Sequence, residues 1–210
     1  MKKVAVLDYG MGNLRSVAQA LNRVKQPNQE IVITSEASEI DAADRVVLPG
    51  QGSMKDCMLA INQSGLREAL LHAIKNKPLF GVCIGEQMLF ETSQEGPSTC
   101  LGVLPGEVVH FNPELTIQRG LKVPHMGWNR VHQTKSHPLW EGIEDKAWFY
   151  FVHSYFVKPS HLDHEFAQTQ HGEVFTCAVA QDNIFATQFH PEKSAEDGLK
   201  LYSNFLRWYP

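Results

Sequence analysis

No stretch of this 210-residue sequence approaches the ~20 apolar residues that a membrane-spanning helix needs. Long runs of like charge are also missing and the formal net charge is only −4, which argues against a protein that binds nucleic acid nonspecifically. The N-terminal apolar stretch is interrupted at Asp8, so it makes a poor signal peptide. Together these absences predict a cytoplasmic protein.

Cysteine is sparse, and its spacing is not that of a metal site. The four cysteines, Cys57, Cys83, Cys100 and Cys177, form no CxxC pair, so we expect reduced thiols. Among ten histidines the tightest pair lies in residues 161–164, a polar stretch that is typical of a surface loop. We therefore expect no metal and no other cofactor.

The first half of the chain alternates strand and helix patterns. Leu14 and Val17 begin a run of apolar residues at helical spacing, between two β-prone stretches. Strands separated by helices pair in parallel and form a doubly wound sheet. Ligands bind such sheets at the carboxyl ends of the strands, where residues 8–10, residues 49–52 and Cys83 fall. The predicted strands are residues 3–7, 31–33, 45–48 and 78–82, and the clearest helices are residues 14–24 and 66–74.

The second half is richer in β patterns. Residues 147–157 form the longest apolar stretch, and residues 173–180 and 184–189 read as a hairpin. The last helix is predicted to start at Ser194, an N-cap candidate with Asp197 three residues on. No repeat or linker is present. The predicted fold is therefore α/β, one domain with a doubly wound mixed sheet and an extra β-rich second half.

A cysteine between two glycines is the most informative motif. Gly81-Val82-Cys83-Ile84-Gly85 has the pattern of a nucleophile elbow, in which the nucleophile occupies a strained turn between a strand and a helix. The strand candidate at residues 78–82 leads into Cys83, and a helix is predicted from Ile84 to about Glu91. The glycines two positions before and after the nucleophile avoid a collision between strand and helix.

A histidine and a glutamate far downstream supply the groups that a cysteine nucleophile needs. An ordinary thiol, with a pKa of about 8.5, is mostly protonated at neutral pH, so a histidine must take its proton and an acid must orient that histidine. His190 and Glu192 follow an apolar strand candidate, and in an extended chain positions i and i+2 face the same way. Either motif alone is more often a buried cysteine or a turn; together they predict a Cys83-His190-Glu192 triad.

Acyl transfer also requires backbone N–H donors where negative charge develops. The N–H of Ile84 is one candidate, since it follows the nucleophile directly. The glycine-rich loop at residues 49–52 is suited to provide the other, through Gly52, although by itself it would read as an ordinary turn.

These motifs resemble those of the class I glutamine amidotransferases, and most closely the branch that works in histidine biosynthesis. The resemblance covers nearly the whole chain. It implies that residues 1–210 form one glutamine amidotransferase type 1 domain. Residues 124–128, Pro-His-Met-Gly-Trp, are the most specific part, because sister glutaminase domains lack them. The matching segments are residues 8–16, 48–53, 122–129, 151–155 and 186–194.

The resemblance implies an activity and a partner. Cys83 would attack the side-chain amide of L-glutamine, His190 would act as general base and acid, and Glu192 would orient His190. Ammonia would pass to a (β/α)8-barrel cyclase, the other subunit of the imidazole glycerol phosphate synthase heterodimer, which forms imidazole glycerol phosphate and aminoimidazole carboxamide ribonucleotide. The implied oxyanion donors are Gly52 and Ile84, and the implied substrate-binding residues are Gln87, Gly50 and Gln51.

The same resemblance suggests where the partner docks. Asn13, Met126, Trp128 and Lys193 match positions near the seam with the cyclase, and exposed Met and Trp are common at interfaces. The alternative for Trp128 is a place in the core. Two departures from the family pattern stand near the nucleophile: Glu86, where many relatives carry methionine, and Gln51, where many carry valine.

Three other functions are compatible with parts of the pattern. A different class I amidotransferase, such as that of anthranilate or pyridoxal phosphate synthesis, would share the triad but not residues 124–128. A stand-alone Cys-His hydrolase would need no partner. A regulatory module on an inactive amidotransferase fold would not need the intact triad.

Overall fold

The computed structural model describes residues 1–96 and 98–210 of the chain. In these residues no helix is long and apolar enough to cross a membrane. The strands are β1 (Lys2–Leu7), β2 (Gln29–Thr34), β3 (Arg45–Gly50), β4 (Leu79–Cys83), β5 (Thr92–Ser93), β6 (Ser98–Thr99), β7 (Gly106–His110), β8 (His125–Gln133), β9 (Ala147–His153), β10 (Tyr155–Pro159), β11 (Glu165–His171), β12 (Glu173–Gln181) and β13 (Ile184–Thr187). The α-helices are α1 (Leu14–Val24), α2 (Ala37–Ala42), α3 (Met54–Gln63), α4 (Arg67–Asn76), α5 (Ile84–Gln87), α6 (Pro113–Gln118) and α7 (Ala195–Arg207).

The central feature is a mixed sheet in the order β2-β1-β3-β4-β13-β12-β11-β8-β9. The part from β2 to β13 is parallel, as the alternation of strands and helices predicts, and the part from β13 to β9 is antiparallel. Helix α1 packs against α7, and α2 packs against α4. The fold is therefore the predicted α/β type with a doubly wound mixed sheet.

A second sheet has the order β10-β7-β5-β6 and, together with the antiparallel strands of the main sheet, makes up the β-rich second half. The long apolar run at residues 147–157 is divided between the two sheets, because the chain leaves β9, turns at Ser154 and enters β10. Aromatic rings fill the space near this crossing. The ring of Phe111 lies 4.9 Å from that of Phe156 and 5.2 Å from that of Phe175. Ser154 is thereby held between the sheets, next to the end of β4.

Two local predictions are corrected by the structure. The helix predicted to run to about Glu91 ends at Gln87. Beyond it the carbonyls of residues 88–90 accept hydrogen bonds from the amides of residues 101–104, so they are not available to a further helical turn. Ser194 does precede α7, but its side chain makes no capping bond. Its Oγ instead accepts from the Tyr150 amide and donates to the carbonyl of His190.

Candidate active site

The nucleophile elbow predicted at Cys83 is present. Cys83 joins β4 to α5 with φ 55° and ψ −111°, a backbone conformation that residues other than glycine rarely adopt. The flanking glycines are required by close contacts. A Cβ on Gly85 would overlap the carbonyl oxygen of Leu48, and one on Gly81 would lie 2.9 Å from Cβ of Ala186. The tight turn projects the Cys83 side chain from the carboxyl end of the parallel strands.

The glycine-rich loop after β3 packs directly on this turn. Gly50 pairs with Cys83 in the sheet, and a Cβ on Gly50 would lie only 2.7 Å from the amide nitrogen of Gly85. Tyr9 Oη donates to the carbonyl of Pro49 at 2.9 Å, which ties the loop to the end of β1. Gly52 has φ +102°, in the region that favours glycine. The loop therefore lies beside Cys83, in a backbone conformation that depends on its glycines.

His190 and Glu192 are brought together, although not as extended chain. Strand β13 ends at Thr187, and residues 191–193 form a 3-10 turn. This turn places His190 Nδ1 2.9 Å from Glu192 Oε1, with only 5% and 1% of the two side chains exposed. Tyr202 Oη donates to the other Glu192 oxygen at 3.4 Å. The two side chains are in contact, and the geometry comes from a turn that the i, i+2 strand argument did not foresee.

The surroundings of His190 favour its charged form. Burial alone would lower the pKa of His190, but electrostatic attraction to Cys83, together with the Glu192 carboxylate, raises it to about 10. Because Nδ1 faces Glu192, the ring carries a proton on Nδ1. Nε2 has no hydrogen-bond partner among the described residues, and it belongs to the cavity that Cys83 also lines. His190 is therefore a protonated ring beside the cavity that Cys83 also lines.

A cavity of about 240 Å³ joins these groups. Most of the residues predicted to act in the site line it, namely Cys83, His190, Ile84, Gln87, Gln51, Gly52 and Lys193. Gly50 and Glu192 lie behind the wall, where they support Cys83 and His190. Glu95, His153, Ser154 and Tyr155 also line the cavity and were not predicted. His153, Ser154 and Tyr155 fall in the matching segment at residues 151–155, to which no role was assigned, and the passage of the chain between the two sheets brings them to the cavity.

Gln87 and Gln188 form a pair of amides next to the nucleophile. Gln87 Nε2 donates to the Tyr155 carbonyl at 2.9 Å and to Gln188 Oε1 at 2.8 Å. Gln188 Nε2 then points at Cys83 Sγ, at 3.6 Å. Gln188 was not singled out from the sequence, although its place two residues before His190 is a usable signal.

Glu86 lies away from the cavity and is completely buried. Neither carboxylate oxygen has a hydrogen-bond partner in residues 1–96 or 98–210. Burial, and to a smaller extent the charge of Cys83, raises the pKa of Glu86 well above its ordinary value. Glu86 is thus a neutral acid inside an apolar region, and it does not line the cavity where a substrate ammonium would bind.

Two of the residues predicted for the docking seam, Met126 and Trp128, are exposed on β8, and a third, Lys193, lines the cavity. Met126 is 63% exposed and Trp128 is 49% exposed, so the core position considered for Trp128 is wrong. In β9, Trp148 is also 49% exposed. Lys193 Nζ lies 5.8 Å from the centre of the Tyr150 ring, which pairs with Trp128 across the strands. We call Met126, Trp128 and Trp148 the β8–β9 face.

Asn13 and the candidate metal ligands complete the predicted set. Asn13 immediately precedes α1, and its side chain makes no capping bond there. Over the described part of the chain, no group of three or more His, Cys, Asp or Glu residues is arranged to hold a metal ion. The four cysteines are buried free thiols.

We expect Glu86→Met to stabilise the protein. A buried carboxyl without partners costs about 1–3 kcal/mol, and methionine removes that cost at similar size. Because the folded-state pKa of Glu86 is raised, the native state holds a proton that the unfolded chain releases above about pH 4.5, so stability falls as pH rises from that value. The gain in the free energy of unfolding, measured by urea titration, should be larger at pH 8 than at pH 5. The exposed control Glu68→Met should change it by less than about 0.5 kcal/mol; equal gains for both variants would contradict the assignment.

We expect Glu192→Gln to lower the pKa of His190, because the amide removes the negative charge at Nδ1. A raised folded-state pKa means that the charged ring adds stability which is fully present below about pH 6.5 and is lost as pH rises through about 10. The stability lost in the variant should therefore be greatest below pH 6.5 and shrink towards pH 10. NMR titration of the His190 ring measures the pKa directly. Glu196→Gln, at an exposed position in α7, is the matched control, and an unchanged His190 pKa in Glu192→Gln would refute the pairing.

Comparison with known proteins agrees with this geometry. The family model described as "Glutamine amidotransferase class-I" matches residues 5–208. A solved structure titled "Crystal structure of glutamine amidotransferase" superposes with a TM-score of 0.71 at 20% identity, over 97% of this chain and 97% of that chain. A glutamine amidotransferase from Thermotoga maritima has a TM-score of 0.60 at 16% identity, over 91% of this chain and 76% of its own. At these identities the two structures support the fold alone.

Curated relatives are much closer in sequence. The imidazole glycerol phosphate synthase subunit HisH of Aromatoleum aromaticum is 54% identical over 100% of both chains. The HisH subunit of Dechloromonas aromatica is 55% identical over 99% of this chain and 97% of its own, and that of Thiobacillus denitrificans is 55% identical over 99% and 92%. The chain belongs to the class I glutamine amidotransferases, among the HisH subunits of imidazole glycerol phosphate synthase.

Proposed function

We propose that this chain hydrolyses L-glutamine to glutamate and ammonia through Cys83, His190 and Glu192. The observation that carries the proposal is the shared cavity of Cys83 and His190, with His190 Nε2 unpartnered among the described residues and Nδ1 held by a buried carboxylate. The raised pKa of His190 keeps this ring positively charged at neutral pH, and a cation beside a cysteine stabilises the thiolate, the form of the side chain that acts as a nucleophile.

The reaction follows from these positions. The Cys83 thiolate attacks the carbon of the substrate side-chain amide, and the amide oxygen becomes an oxyanion beside the N–H groups of Ile84 and Gly52. His190 Nε2–H gives its proton to the nitrogen, so ammonia leaves and a glutamyl thioester remains. A water molecule then loses a proton to His190 and attacks the thioester, which releases glutamate and restores the thiolate. Each proton taken by His190 in the second half replaces one given in the first.

Substrate holding is assigned to the polar groups of the cavity wall. Both N–H bonds of Gln87 are used within the protein, so its carbonyl oxygen is the group left to accept a hydrogen bond from glutamine. The Glu95 carboxylate lines the cavity and accepts from the Met54 amide at 2.8 Å, which leaves it suited to the substrate ammonium. The loop of Gly50 and Gln51 closes the opposite side. No cofactor is needed for any of these steps.

The ammonia is proposed to pass to a (β/α)8-barrel cyclase, the other subunit of imidazole glycerol phosphate synthase, in a cytoplasmic heterodimer. There it would be used to form imidazole glycerol phosphate and aminoimidazole carboxamide ribonucleotide. Delivery through a sealed seam is chemically sensible, because ammonia released into water becomes ammonium and loses its nucleophilic lone pair. Asn13, Met126, Trp128 and Lys193 would form part of this seam, and residues 1–210 would act as one glutaminase domain.

We expect Cys83→Ala to abolish glutamate release while ammonia-driven synthesis by the complex continues, because only the nucleophile is removed. The assay measures glutamate from glutamine for the chain alone and then with the cyclase and its nucleotide substrate. Cys100→Ala is the control: Cys100 is a buried thiol outside the cavity, and burial raises its pKa to about 11.

The same assay separates the alternative functions. Slow hydrolysis alone with a large rise in the full mixture would support a coupled glutaminase subunit. Equal, fast rates in both would indicate a stand-alone hydrolase, and no thioester or glutamate under any condition would indicate an inactive module. Normal hydrolysis by Cys83→Ala would refute the proposed mechanism.

We expect Trp128→Ala to weaken cyclase binding by about 2 kcal/mol, roughly thirtyfold, because partly exposed Trp residues at interfaces are frequent energetic anchors. Leu162→Ala is the matched control. Leu162 is a 74%-exposed apolar residue, and it lies beyond the other end of β8, where its carbonyl accepts from Lys135. Isothermal titration calorimetry with the cyclase distinguishes the two, and equal affinities for both variants would place the seam elsewhere.

A further inference from the structure

A chain of hydrogen bonds leads from β8 to the cavity, ending on the wall that is proposed to hold glutamine. Asn129 Nδ2 lies 3.2 Å from His125 Nε2, and His125 Nδ1 lies 2.9 Å from His153 Nε2. His153 Nδ1 lies 2.8 Å from the carbonyl oxygen of Tyr155. That same carbonyl accepts from Gln87 at 2.9 Å. The two imidazoles are therefore connected, through one backbone oxygen, to the amide beside the nucleophile.

The partners determine where each proton lies. A carbonyl oxygen only accepts, so His153 carries its proton on Nδ1 and its Nε2 is an acceptor. His125 must then donate from Nδ1, and its Nε2 accepts from Asn129. Burial lowers the pKa of His125 to about 3 and that of His153 well below its ordinary value, so both rings are neutral. In each hydrogen bond from Asn129 to Tyr155, the donor is therefore the residue nearer to Asn129 and the acceptor is the one nearer to Tyr155.

The outer end of the chain is also oriented. Asn129 Nδ2 donates to the carbonyl of Gln170 at 2.9 Å, and its Oδ1 accepts from the amide of Arg130 at 2.8 Å. These two backbone partners allow only one orientation of the side-chain amide. Asn129 therefore offers an N–H, and not an oxygen, to His125.

Aromatic packing leaves the imidazoles little room to turn. The His125 ring is stacked on Phe151 at 4.8 Å and on His171 at 4.3 Å between ring centres. Phe111 lies 5.1 Å from the His153 ring. His171 belongs to this stack but not to the hydrogen-bond chain, since its Nε2 is paired with the carbonyl of Lys122.

The position of the Tyr155 carbonyl decides which way the two glutamine amides face. Because the Tyr155 carbonyl is an acceptor, Gln87 must direct its NH₂ group towards it. The same NH₂ group donates to the oxygen of Gln188, and Gln188 in turn donates an N–H to Cys83 Sγ. If both amides were reversed, the Gln87 oxygen would face the Tyr155 oxygen and the Gln188 oxygen would face the sulfur. His153 donates to the same carbonyl oxygen and so helps to hold it where Gln87 must face it with an N–H.

We propose that His153, supported by His125 and Asn129, is a positioning residue that sets the donor and acceptor polarity of Gln87 and Gln188 in the substrate cavity. The inference rests on the proposed glutaminase function. His153 also lines the cavity, but both of its ring nitrogens are paired within the protein, so its proposed effect on the substrate passes through the Tyr155 carbonyl and Gln87. Its loss should therefore affect glutamine binding more than the chemical step.

The test compares three variants in the complex with the cyclase and its nucleotide substrate, measuring KM and kcat for glutamine. His153→Phe keeps an aromatic ring but removes the N–H, and KM should rise about tenfold with a smaller change in kcat. His153→Asn restores a donor near the place of Nδ1, and KM should stay within about threefold of the unaltered chain. His171 belongs to the aromatic stack but not to the hydrogen-bond chain, so His171→Phe, which keeps an aromatic ring there, should leave KM and kcat unchanged.

The outcomes separate the two proposals. An unaltered chain without glutaminase activity in the complex would refute the proposed function. An active unaltered chain with an unchanged KM in His153→Phe, or with equal KM increases in His153→Phe and His171→Phe, would overturn only the positioning role. A KM increase in His153→Phe that His153→Asn reverses would support it.

Nitrogen-15 NMR of the histidine rings tests the same inference without a substitution, and it decides the matter if His153→Phe does not fold. In the unaltered chain, His125 and His153 should both carry the proton on Nδ1 and should not titrate between about pH 6 and 9. A proton on Nε2 of either ring, or titration in that range, would overturn the hydrogen-bond chain and with it the positioning role of His153.

Discussion

The site depends on one close backbone contact, between Gly85 in α5 and the carbonyl of Leu48 in β3. This contact is possible only because Gly85 has no Cβ, and it brings the start of α5 onto the end of the neighbouring strand. Gly50, whose backbone touches the same turn, then lies opposite Cys83 in the sheet. The strained conformation of Cys83 is maintained by this packing. Cys83 and the glycine-rich loop are thus a single structural unit.

The second sheet completes what the parallel sheet begins. The doubly wound half supplies Cys83 and the loop after β3 at the carboxyl ends of its strands, as its topology requires. The opposite wall comes from the passage of the chain between β9 and β10, where His153, Ser154 and Tyr155 meet the cavity. Because β9 pairs with β8 as well, one face of this ribbon carries exposed Trp128 and the other carries buried His125. The same pair of strands therefore contributes to the cavity wall, through Val152 and His153, and to the exposed surface, through Met126 and Trp128.

Much of this architecture could be predicted from the sequence, for reasons that are local. The alternation of strand and helix, the glycines around Cys83 and the short spacing of His190 and Glu192 all report on contacts within a few residues. What could not be predicted depends on distant parts of the chain. The end of α5 is set by amides about fifteen residues later, and Ser194 is diverted from capping by the Tyr150 amide. Gln188 and His153 matter because two sheets meet there, which no periodicity in the sequence reveals.

The charges in the interior are arranged so that particular hydrogen-bonding groups of the cavity are left for a ligand. The charge of His190 is balanced by Glu192 on one side and by Cys83 on the other, so it persists despite burial. Other buried polar groups are neutral and oriented, as in His125 and His153, whose burial excludes a second proton. Glu86 follows the same rule, since without a partner it remains protonated. Under the proposed function, the cavity offers the substrate an N–H at His190 Nε2, the free oxygen of Gln87 and the Glu95 carboxylate, which are complementary to the leaving nitrogen, to a donor and to the ammonium of glutamine. An analogue without the matching groups would bury these groups without partners, and that penalty would supply discrimination that cavity shape alone would not.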